Sequence, residues 1–386
     1  MESFRFHSEM YCELLVEEKL AETAAFLSQH EERCITLMSR LVKNGMPVMP
    51  EENLSVLVFR HSKESSVCAV VSYSESGFIL HCIPFSEDYA EIGAFMKDFL
   101  SGRSLFCILG EKKGSDLLIK AAGRSPTASI DYTLMTFGGA SSVGAGVSSF
   151  SGSASRAGSA FGAASVGAGA SVFGGAASVC ASASRAGTVA SGVSSVCAGA
   201  SAFSGSASFG VSSVGAGASA LDAANSAGNA NSAGTGLPIP PGFTCVPCSE
   251  ADVNLLLPLQ KEYDSVEVLL PGAKLDVPLC RLNLRKILRE QFVLGVRADN
   301  ADSGFFVAKA GTNAIGLNWV QLGGVCTLPE YRGKGLAAFL VNKIALQKLS
   351  DGKKTALFVK NKNLPAQKAY KKAGFVPLCP FSISYF

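Results

Sequence analysis

The sequence predicts an α/β (α+β) protein with a mixed central sheet, built as two lobes with a low-complexity insert between them. Helical and strand-like runs alternate over residues 1–137 and again over residues 237–386. This alternation is the pattern of folds that pack helices on a sheet. Residues 138–236, by contrast, consist mostly of Gly, Ala and Ser. The chain therefore divides into two foldable parts and one segment that lacks the side chains for a core.

The first part begins with two predicted helices and continues with alternating strands and helices. Apolar spacing predicts a helix over 10–27, and Ser28-Gln-His-Glu31 matches a capping box that opens a second helix, closed near Gly45. Runs rich in β-branched and aromatic residues predict the strands. The expected order is strand 54–60, strand 67–74, strand 78–83, helix 89–100, strand 104–109, helix 115–122 and strand 130–137.

The middle segment is expected to be a disordered linker. Its only charged residues are Arg156, Arg185 and Asp222, and its repeated fragments share no single period. Small side chains bury too little apolar area to offset the entropy of ordering so much glycine. A silk-like β assembly is the alternative for such a composition.

The last part is expected to contain helices, an antiparallel meander and then alternating elements. The predicted order is helix 252–263, helix 282–292, strands 292–297, 304–310 and 314–327, helix 332–349, strand 355–360, helix 364–373 and one or two strands over 375–386. Cys245-Val-Pro-Cys248 is expected to lie in a linker as incidental thiols, with metal binding or redox use as the alternatives.

Charge is distributed unevenly, and the distribution limits the classes of partner. Residues 1–137 hold 13 Lys and Arg against 19 Asp and Glu, whereas residues 237–386 hold 19 against 11. The basic part is expected to bind an anion, but no aromatic-interleaved basic run indicates nucleic acid. Twelve scattered cysteines, no signal-peptide pattern and no apolar run of membrane-spanning length predict a cytoplasmic protein without a membrane segment.

The most informative stretch is Gly324-Val-Cys-Thr-Leu-Pro-Glu-Tyr-Arg-Gly-Lys-Gly-Leu-Ala-Ala338, which predicts a strand, a glycine loop and the start of a helix. Gly333 and Gly335 let the backbone approach a ligand closely. Arg332 and Lys334 add positive charge, and the helix dipole adds more. The joint is therefore predicted to hold a phosphate-bearing molecule.

Two motifs in order carry a resemblance to a known family. Arg332-Gly-Lys-Gly335-Leu-Ala337 matches Arg/Gln-x-x-Gly-x-Gly/Ala, and Asn363-Leu-Pro-Ala366-Gln-Lys-Ala-Tyr370-Lys-Lys-Ala-Gly374-Phe375 follows after one helix and one strand. With these motifs, residues 250–386 resemble the GNAT superfamily of acetyltransferases. The resemblance implies a GNAT fold, acetyl-CoA as co-substrate and an amine acceptor on a small molecule or a protein. The cofactor-binding residues that it implies are Val325, Cys326, Thr327, Arg332, Gly333, Lys334, Gly335, Leu336, Ala337 and Asn363.

The resemblance also implies direct transfer, in which a neutral amine attacks the thioester and a backbone N–H stabilises the oxyanion. Tyr370 is implied as the general acid that protonates the departing thiolate; the alternative is a packing tyrosine. Asn363 is implied to bond the pantetheine arm or the helix entrance, with a simple N-cap as the alternative. Gly323 and Gly324 are implied to form a bulge that splays the strand from its neighbour, or else are glycines tolerated in an edge strand.

No general base is evident from the sequence. All four histidines lie in residues 1–137, namely His7, His30, His61 and His81. This excludes a Ser-His or Cys-His hydrolase contained in the last part, where Cys326 is expected to be a strand filler. Three carboxylates are considered as bases and are expected to be solvated charges: Glu267, Asp276 and Glu290.

The first part is similar to a GNAT lobe without its cofactor loop, because Gly110-Glu-Lys-Lys-Gly114 departs from the family pattern. We expect a degenerate, non-catalytic GNAT-like lobe; an unrelated α/β module is the alternative. The function expected of the chain is that of an N-acetyltransferase enzyme. Its rivals are a non-catalytic acyl-CoA-sensing module and a structural protein whose insert is the functional part. The acceptor and the oligomeric state stay open.

Overall fold

The computed structural model describes residues 10–138, 236–269, 273–299 and 304–386. The predicted linker 138–236 lies outside these residues, except for its two end residues. All the described residues belong to one compact unit. We call residues 10–137 the N-terminal half and residues 236–386 the C-terminal half.

Twelve strands form one continuous mixed sheet, and two short strands form a separate hairpin. The strands are β1 (Tyr11–Leu14), β2 (Val42–Lys43), β3 (Met46–Pro47), β4 (Leu54–Arg60), β5 (Val67–Ser74), β6 (Phe78–Cys82), β7 (Cys107–Glu111), β8 (Ala128–Phe137), β9 (Phe243–Pro247), β10 (Val293–Ala298), β11 (Phe306–Ile315), β12 (Trp319–Thr327), β13 (Lys354–Lys360) and β14 (Phe375–Tyr385). The large sheet runs β1-β4-β5-β6-β7-β14-β8-β13-β12-β11-β10-β9. Its neighbours are antiparallel except β6–β7 and β12–β13, which are parallel.

Eight α-helices cover the two faces of this sheet. They are α1 (Glu17–Gln29), α2 (Glu31–Met38), α3 (Tyr89–Leu100), α4 (Lys112–Ala122), α5 (Val253–Tyr263), α6 (Val277–Glu290), α7 (Leu336–Ser350) and α8 (Leu364–Lys372) in the described part of the chain. Alternate strand residues point to opposite faces, and they join different apolar cores. In the N-terminal half, Val58 packs in the core under α1 and α2, whereas Phe59 packs under α3 and α4.

The two halves repeat one order of elements. β4, β5, β6, α3, β7, α4 and β8 in the first half correspond to β10, β11, β12, α7, β13, α8 and β14 in the second. Each half places its last strand beside the other half: β14 lies between β7 and β8, and β8 lies between β14 and β13. The sheet is thus continuous between the halves. The division of the chain into domains at residues 1–137 and 237–386 stays a prediction.

At the start of the chain the structure corrects three predictions. The helix predicted over 10–27 is wrong at its beginning, because residues 11–14 form β1, the edge strand that pairs with β4, and the helix starts at Glu17. The capping box is wrong as well: Ser28 Oγ donates to the carbonyl of Ala25, and the Glu31 carboxylate accepts from another part of the chain. Gly45 lies in the β2–β3 turn with φ +76°, well after α2 ends at Met38.

Three boundaries in the C-terminal half also differ from the prediction. Cys245 lies on β9, paired with β10, and not in a linker. Helix α6 starts at Val277 and not at residue 282, because the Asp276 side chain accepts from the backbone N–H of Leu279 and caps it. The strand predicted over 314–327 is divided by a turn over 316–318.

That turn is held by the N-terminal half. The buried Glu31 carboxylate accepts hydrogen bonds from the backbone N–H groups of Asn318 and Trp319 and from the Asn318 amide, at 3.0–3.2 Å. Local sequence does not reveal such a long-range cap. None of the described helices is long and apolar enough to cross a bilayer.

Candidate active site

Strand β12 bulges and leaves its parallel neighbour. Its residues Gly324 and Val325 together oppose the single residue Ala310 of β11, and Gly324 has a φ of +61°, a conformation that favours glycine. Pairing of β12 with β13 ends at Leu322. The remainder of β12 therefore lacks a strand partner on its β13 side, which opens a gap in the sheet. This confirms the predicted bulge.

A buried lysine holds the bulge in place. Lys309 Nζ donates to the carbonyl of Gly324 at 3.0 Å and lies 5.0 Å from the ring centroid of Tyr263. Burial lowers the pKa of Lys309. The neighbouring thiol of Cys326 has its pKa raised to about 11, mainly by burial. The Cys326 thiol therefore keeps its proton at neutral pH, which agrees with a residue that packs within the strand and does not act as a nucleophile.

The glycine loop ends at the N-terminus of α7. Gly333 and Gly335 have φ values of +77° and +84°, and Gly335 is the N-cap residue. No described side chain caps this helix, so the N–H groups of its first turn point outward without intrahelical partners. A Cβ at Gly333 would meet no atom within 4 Å. The loop is open to a ligand and presents backbone donors to it.

Two cations of the loop are fixed by neighbouring groups. Arg332 Nε donates to the carbonyl of Thr327 at 3.1 Å, and its guanidinium pairs with Glu262 at 2.7 Å. Lys334 Nζ lies 4.9 Å from the ring centroid of Tyr331. Both side chains are thereby held beside the loop.

The bulge, the loop and α8 enclose one cleft of about 860 Å³. Every site residue that the sequence predicted lines it: Val325, Cys326, Thr327, Arg332, Gly333, Lys334, Gly335, Leu336, Ala337, Asn363 and Tyr370. Residues far apart in sequence are thus brought to a single surface, because the gap beside β12 lies between α7 and α8.

Sequence reasoning missed four further cations of this cleft, namely Lys360, Lys362, Lys368 and Lys372. Lys372 Nζ lies 4.0 Å from the Cβ position of Gly335, next to the helix N-terminus. The cluster of lysines just before and within the second motif was the signal that could have indicated them. Their charges favour an anionic ligand.

Tyr370 lies on α8 with its side chain buried in the cleft. Burial, and secondarily the carboxylate of Glu267, raises its pKa. The hydroxyl therefore carries its proton at neutral pH, which is the form that a proton donor needs.

Asn363 is the N-cap residue of α8 and also forms a hydrogen bond with the Glu267 carboxylate. Its Oδ1 accepts from the backbone N–H of Ala366 at 3.1 Å, and its Nδ2 donates to Glu267 Oε1 at 2.9 Å. Glu267 Oε2 pairs with Lys360 Nζ at 3.1 Å. The carboxylate expected to be a solvated charge therefore lies in the cleft, positioned by two partners.

The other two carboxylates considered as bases do not line this cleft. Asp276 caps α6, and Glu290 lies 4.0 Å from Lys286 on the same helix.

The N-terminal half contributes to the wall of the cleft. Tyr132, on β8, lines it together with Tyr263 and with Tyr385 of β14. Burial raises the pKa of Tyr132 and of Tyr263. Sequence reasoning missed Tyr132, since the strand exchange that brings β8 beside β13 leaves no local signal.

Residues 276–375 match the family described as "Acetyltransferase (GNAT) family". The chain carries a GNAT-family domain. A solved Drosophila protein aligns with 97% of this chain and 98% of its own length, at 11% identity and a TM-score of 0.52, which is a likeness of fold. The predicted fold class and family are therefore confirmed.

Two further solved structures are similar to this chain. A tandem GNAT protein from the clavulanic acid biosynthesis pathway covers 97% of both chains at 9% identity, with a TM-score of 0.45. A putative GNAT acetyltransferase of Novosphingobium aromaticivorans is 27% identical over 38% of this chain, with a TM-score of 0.29, and this chain spans 58% of it. A comparison with curated protein sequences found no match.

Proposed function

We propose that the chain is an N-acetyltransferase that passes an acetyl group from acetyl-CoA directly to an amine. One observation carries the proposal: the unpaired side of the bulged β12, the uncapped N-terminus of α7 and Tyr370 all face one cleft. This combination offers backbone donors for an acyl thioester and a cationic cradle for its phosphates.

The phosphate end fits at residues 332–337. Two glycines in left-handed conformation keep side chains away from the loop, so the N–H groups of α7 can approach a pyrophosphate. Lys334 and Lys372 supply charge around it. Arg332, already paired with Glu262, positions the loop from the side.

The acyl end fits beside Val325, Cys326 and Thr327. Main-chain groups on the β13 side of these residues have no strand partner, so they can pair with the pantetheine arm and stabilise the developing oxyanion. Tyr370 donates its proton to the departing thiolate. Glu267, held by Asn363 and Lys360, accepts the proton that the amine must lose.

The test uses the full chain, because β8 and β14 cross between the halves. Acetyl-CoA binding is measured by isothermal titration, and transfer to a panel of amines is followed by release of free thiol. We expect binding and turnover in the wild type. Tyr370→Phe should lower kcat by about 10²-fold or more with the acetyl-CoA Kd unchanged, while Tyr89→Phe on α3 changes neither.

Two results would redirect the proposal. Binding without thiol release for any amine, together with a silent Tyr370→Phe, would favour an acyl-CoA-sensing module. Failure of the full chain to bind acetyl-CoA at all would overturn both readings.

A further inference from the structure

Three side chains with different donor atoms converge in the N-terminal half. His61 follows β4, Cys68 lies on β5, and Asp88 ends the turn that leads into α3. Their ligand atoms all lie within 4.8 Å of one another, and His61 Nε2 is 3.5 Å from Asp88 Oδ1. The cluster belongs to neither the cleft nor the predicted linker.

Two of the three side chains are buried and the third is exposed. Asp88 and Cys68 are 3% and 4% exposed, whereas the side chain of His61 is 62% exposed. Among the described residues, Asp88 Oδ2 has no hydrogen-bond partner. The Cys68 thiol interacts with the Asp88 carboxylate, and the second buried oxygen of that carboxylate is left without a partner, which is costly. This oxygen is therefore available to a ligand that also engages Cys68 and His61.

The donor set fits one class of ligand. Imidazole nitrogen, thiolate sulfur and carboxylate oxygen together are typical of Zn²⁺, while Ca²⁺ and Mg²⁺ prefer oxygen alone. Zn–N and Zn–O bonds of about 2.0–2.2 Å place tetrahedral ligand atoms about 3.3–3.5 Å apart. The 3.5 Å between His61 Nε2 and Asp88 Oδ1 lies in this range, and a Cys68 Sγ within 4.8 Å of both is close enough to join them after a small side-chain movement.

We propose that His61, Cys68 and Asp88 bind one Zn²⁺ ion, with a fourth position open to water on the exposed side of His61. On binding, a Zn–S bond forms, the S–H bond of Cys68 breaks and its proton passes to solvent. The ion would tie β4 and β5 to the start of α3. Asp88 lies in the segment between β6 and α3, which corresponds to the glycine loop between β12 and α7 in the other half.

The test titrates metal into the full chain after chelation. We expect about one Zn²⁺ per chain by elemental analysis, a rise in Tm on adding Zn²⁺, and a thiolate-to-metal charge-transfer band when Co²⁺ replaces Zn²⁺. His61→Ala changes an exposed side chain and should weaken Zn²⁺ binding by more than about tenfold without unfolding the protein. Cys68→Ser should remove the charge-transfer band.

A double variant separates this site from the other cysteine pair. Cys245→Ser with Cys248→Ser should keep both the metal and the band, because these thiols lie on or next to β9 at the far edge of the sheet. Loss of the band in that double variant, or its persistence in Cys68→Ser, would overturn the assignment. So would a wild-type chain that binds no Zn²⁺. The acetyl-CoA Kd is expected to be the same in His61→Ala and wild type.

Discussion

The two halves of the molecule share one order of strands and helices, yet the C-terminal half opens a cleft where the N-terminal half is filled. In each half a parallel strand pair ends at a leucine, Leu322 on β12 and Leu80 on β6. The next residue is Gly323 in the open half and His81 in the filled half. The open gap and the packed sheet therefore differ at this position.

His81 closes the N-terminal half with its ring. A Cβ on Gly110 or Gly114 would lie 2.0 or 2.5 Å from the imidazole, and His81 Nε2 is 3.0 Å from Ser115 Oγ. The glycines at 110 and 114, which we compared with a cofactor loop in the sequence, make room for this ring instead.

The connections into the next helix differ in charge. Residues 83–88 between β6 and α3 carry Glu87 and Asp88 and no Lys or Arg, whereas the connection between β12 and α7 carries Arg332 and Lys334 against the single acid Glu330. The same backbone topology therefore occurs both in the half with the open cleft and in the half that is filled. The halves differ in the space left by glycine and in the sign of the loop charge.

The largest expected effect comes from removing the filling side chain. His81→Ala should lower the free energy of unfolding by about 2–4 kcal/mol, because it leaves a buried cavity and removes a hydrogen bond. Urea denaturation measures the change, and Ser115→Ala, which removes only the bond, should cost about 1 kcal/mol. The acetyl-CoA stoichiometry of His81→Ala should equal that of the wild type. A second binding site in this variant would show that the His81 side chain alone distinguishes the two halves.

His81 also predicts a pH dependence of stability. Burial lowers the pKa of His81 to about 4 from an ordinary 6.5, so below pH 6.5 the unfolded chain takes up a proton that the folded chain does not. The buried neutral imidazole therefore keeps its full contribution to stability above about pH 6.5. As the pH falls from about 6.5 to about 4, the free energy of unfolding decreases by up to about 3 kcal/mol. Unfolding free energies across this range should decline less in His81→Ala than in Ser115→Ala. Equal declines would contradict a buried neutral imidazole.

The contact between the halves gives the next effect. Glu31→Gln replaces an acceptor-only group with an amide whose N–H faces the donors of residues 318 and 319, and should lower stability by about 1.5–3 kcal/mol. Glu32→Gln, on the same helix but away from the turn, is the control and should change little. Thermal denaturation would detect the difference, and equal Tm values for the two variants would exclude the cap as a stabilising contact.

A charge placed in the glycine loop can be compared with one placed in the turn that follows α3. Gly333→Glu and Gly102→Glu both change glycines of positive φ with no atom near the Cβ position, so their backbone costs are similar. A carboxylate at residue 333 should repel the pyrophosphate and weaken acetyl-CoA binding at least about tenfold, or about 1.4 kcal/mol. Titration of Gly102→Glu should give the wild-type Kd; equal losses would refute a ligand at the loop.

The smallest expected effect tests the lysines that reasoning from the sequence missed. Lys372→Ala should raise the acetyl-CoA Kd about two- to fivefold, less than 1 kcal/mol, because the charge is exposed and screened. Lys371→Ala is the matched control, since the adjacent side chain does not line the cleft. The difference between them should shrink at high salt; a salt-independent difference would point to packing.

Much of the C-terminal half could be predicted because its signals are local. Gly333 and Gly335 need a left-handed backbone, and the apolar spacing of residues 336–349 fixes the helix that follows. The bulge at Gly324 was predictable from two adjacent glycines within a strand. The role of Glu31 and the position of Glu267 were not predictable, since each depends on partners distant in sequence.

By itself the sequence determined the loop, the helix that starts after it and the family, and it predicted residues that the structure brings to one cleft. Those features depend on backbone conformation and charge within short segments. Only the tertiary structure decided the exchange of β8 and β14, the entry of Tyr132 into the cleft, the cap by Glu31 and the meeting of His61, Cys68 and Asp88. Strand pairing and burial join residues far apart in the chain, and no short segment encodes such contacts.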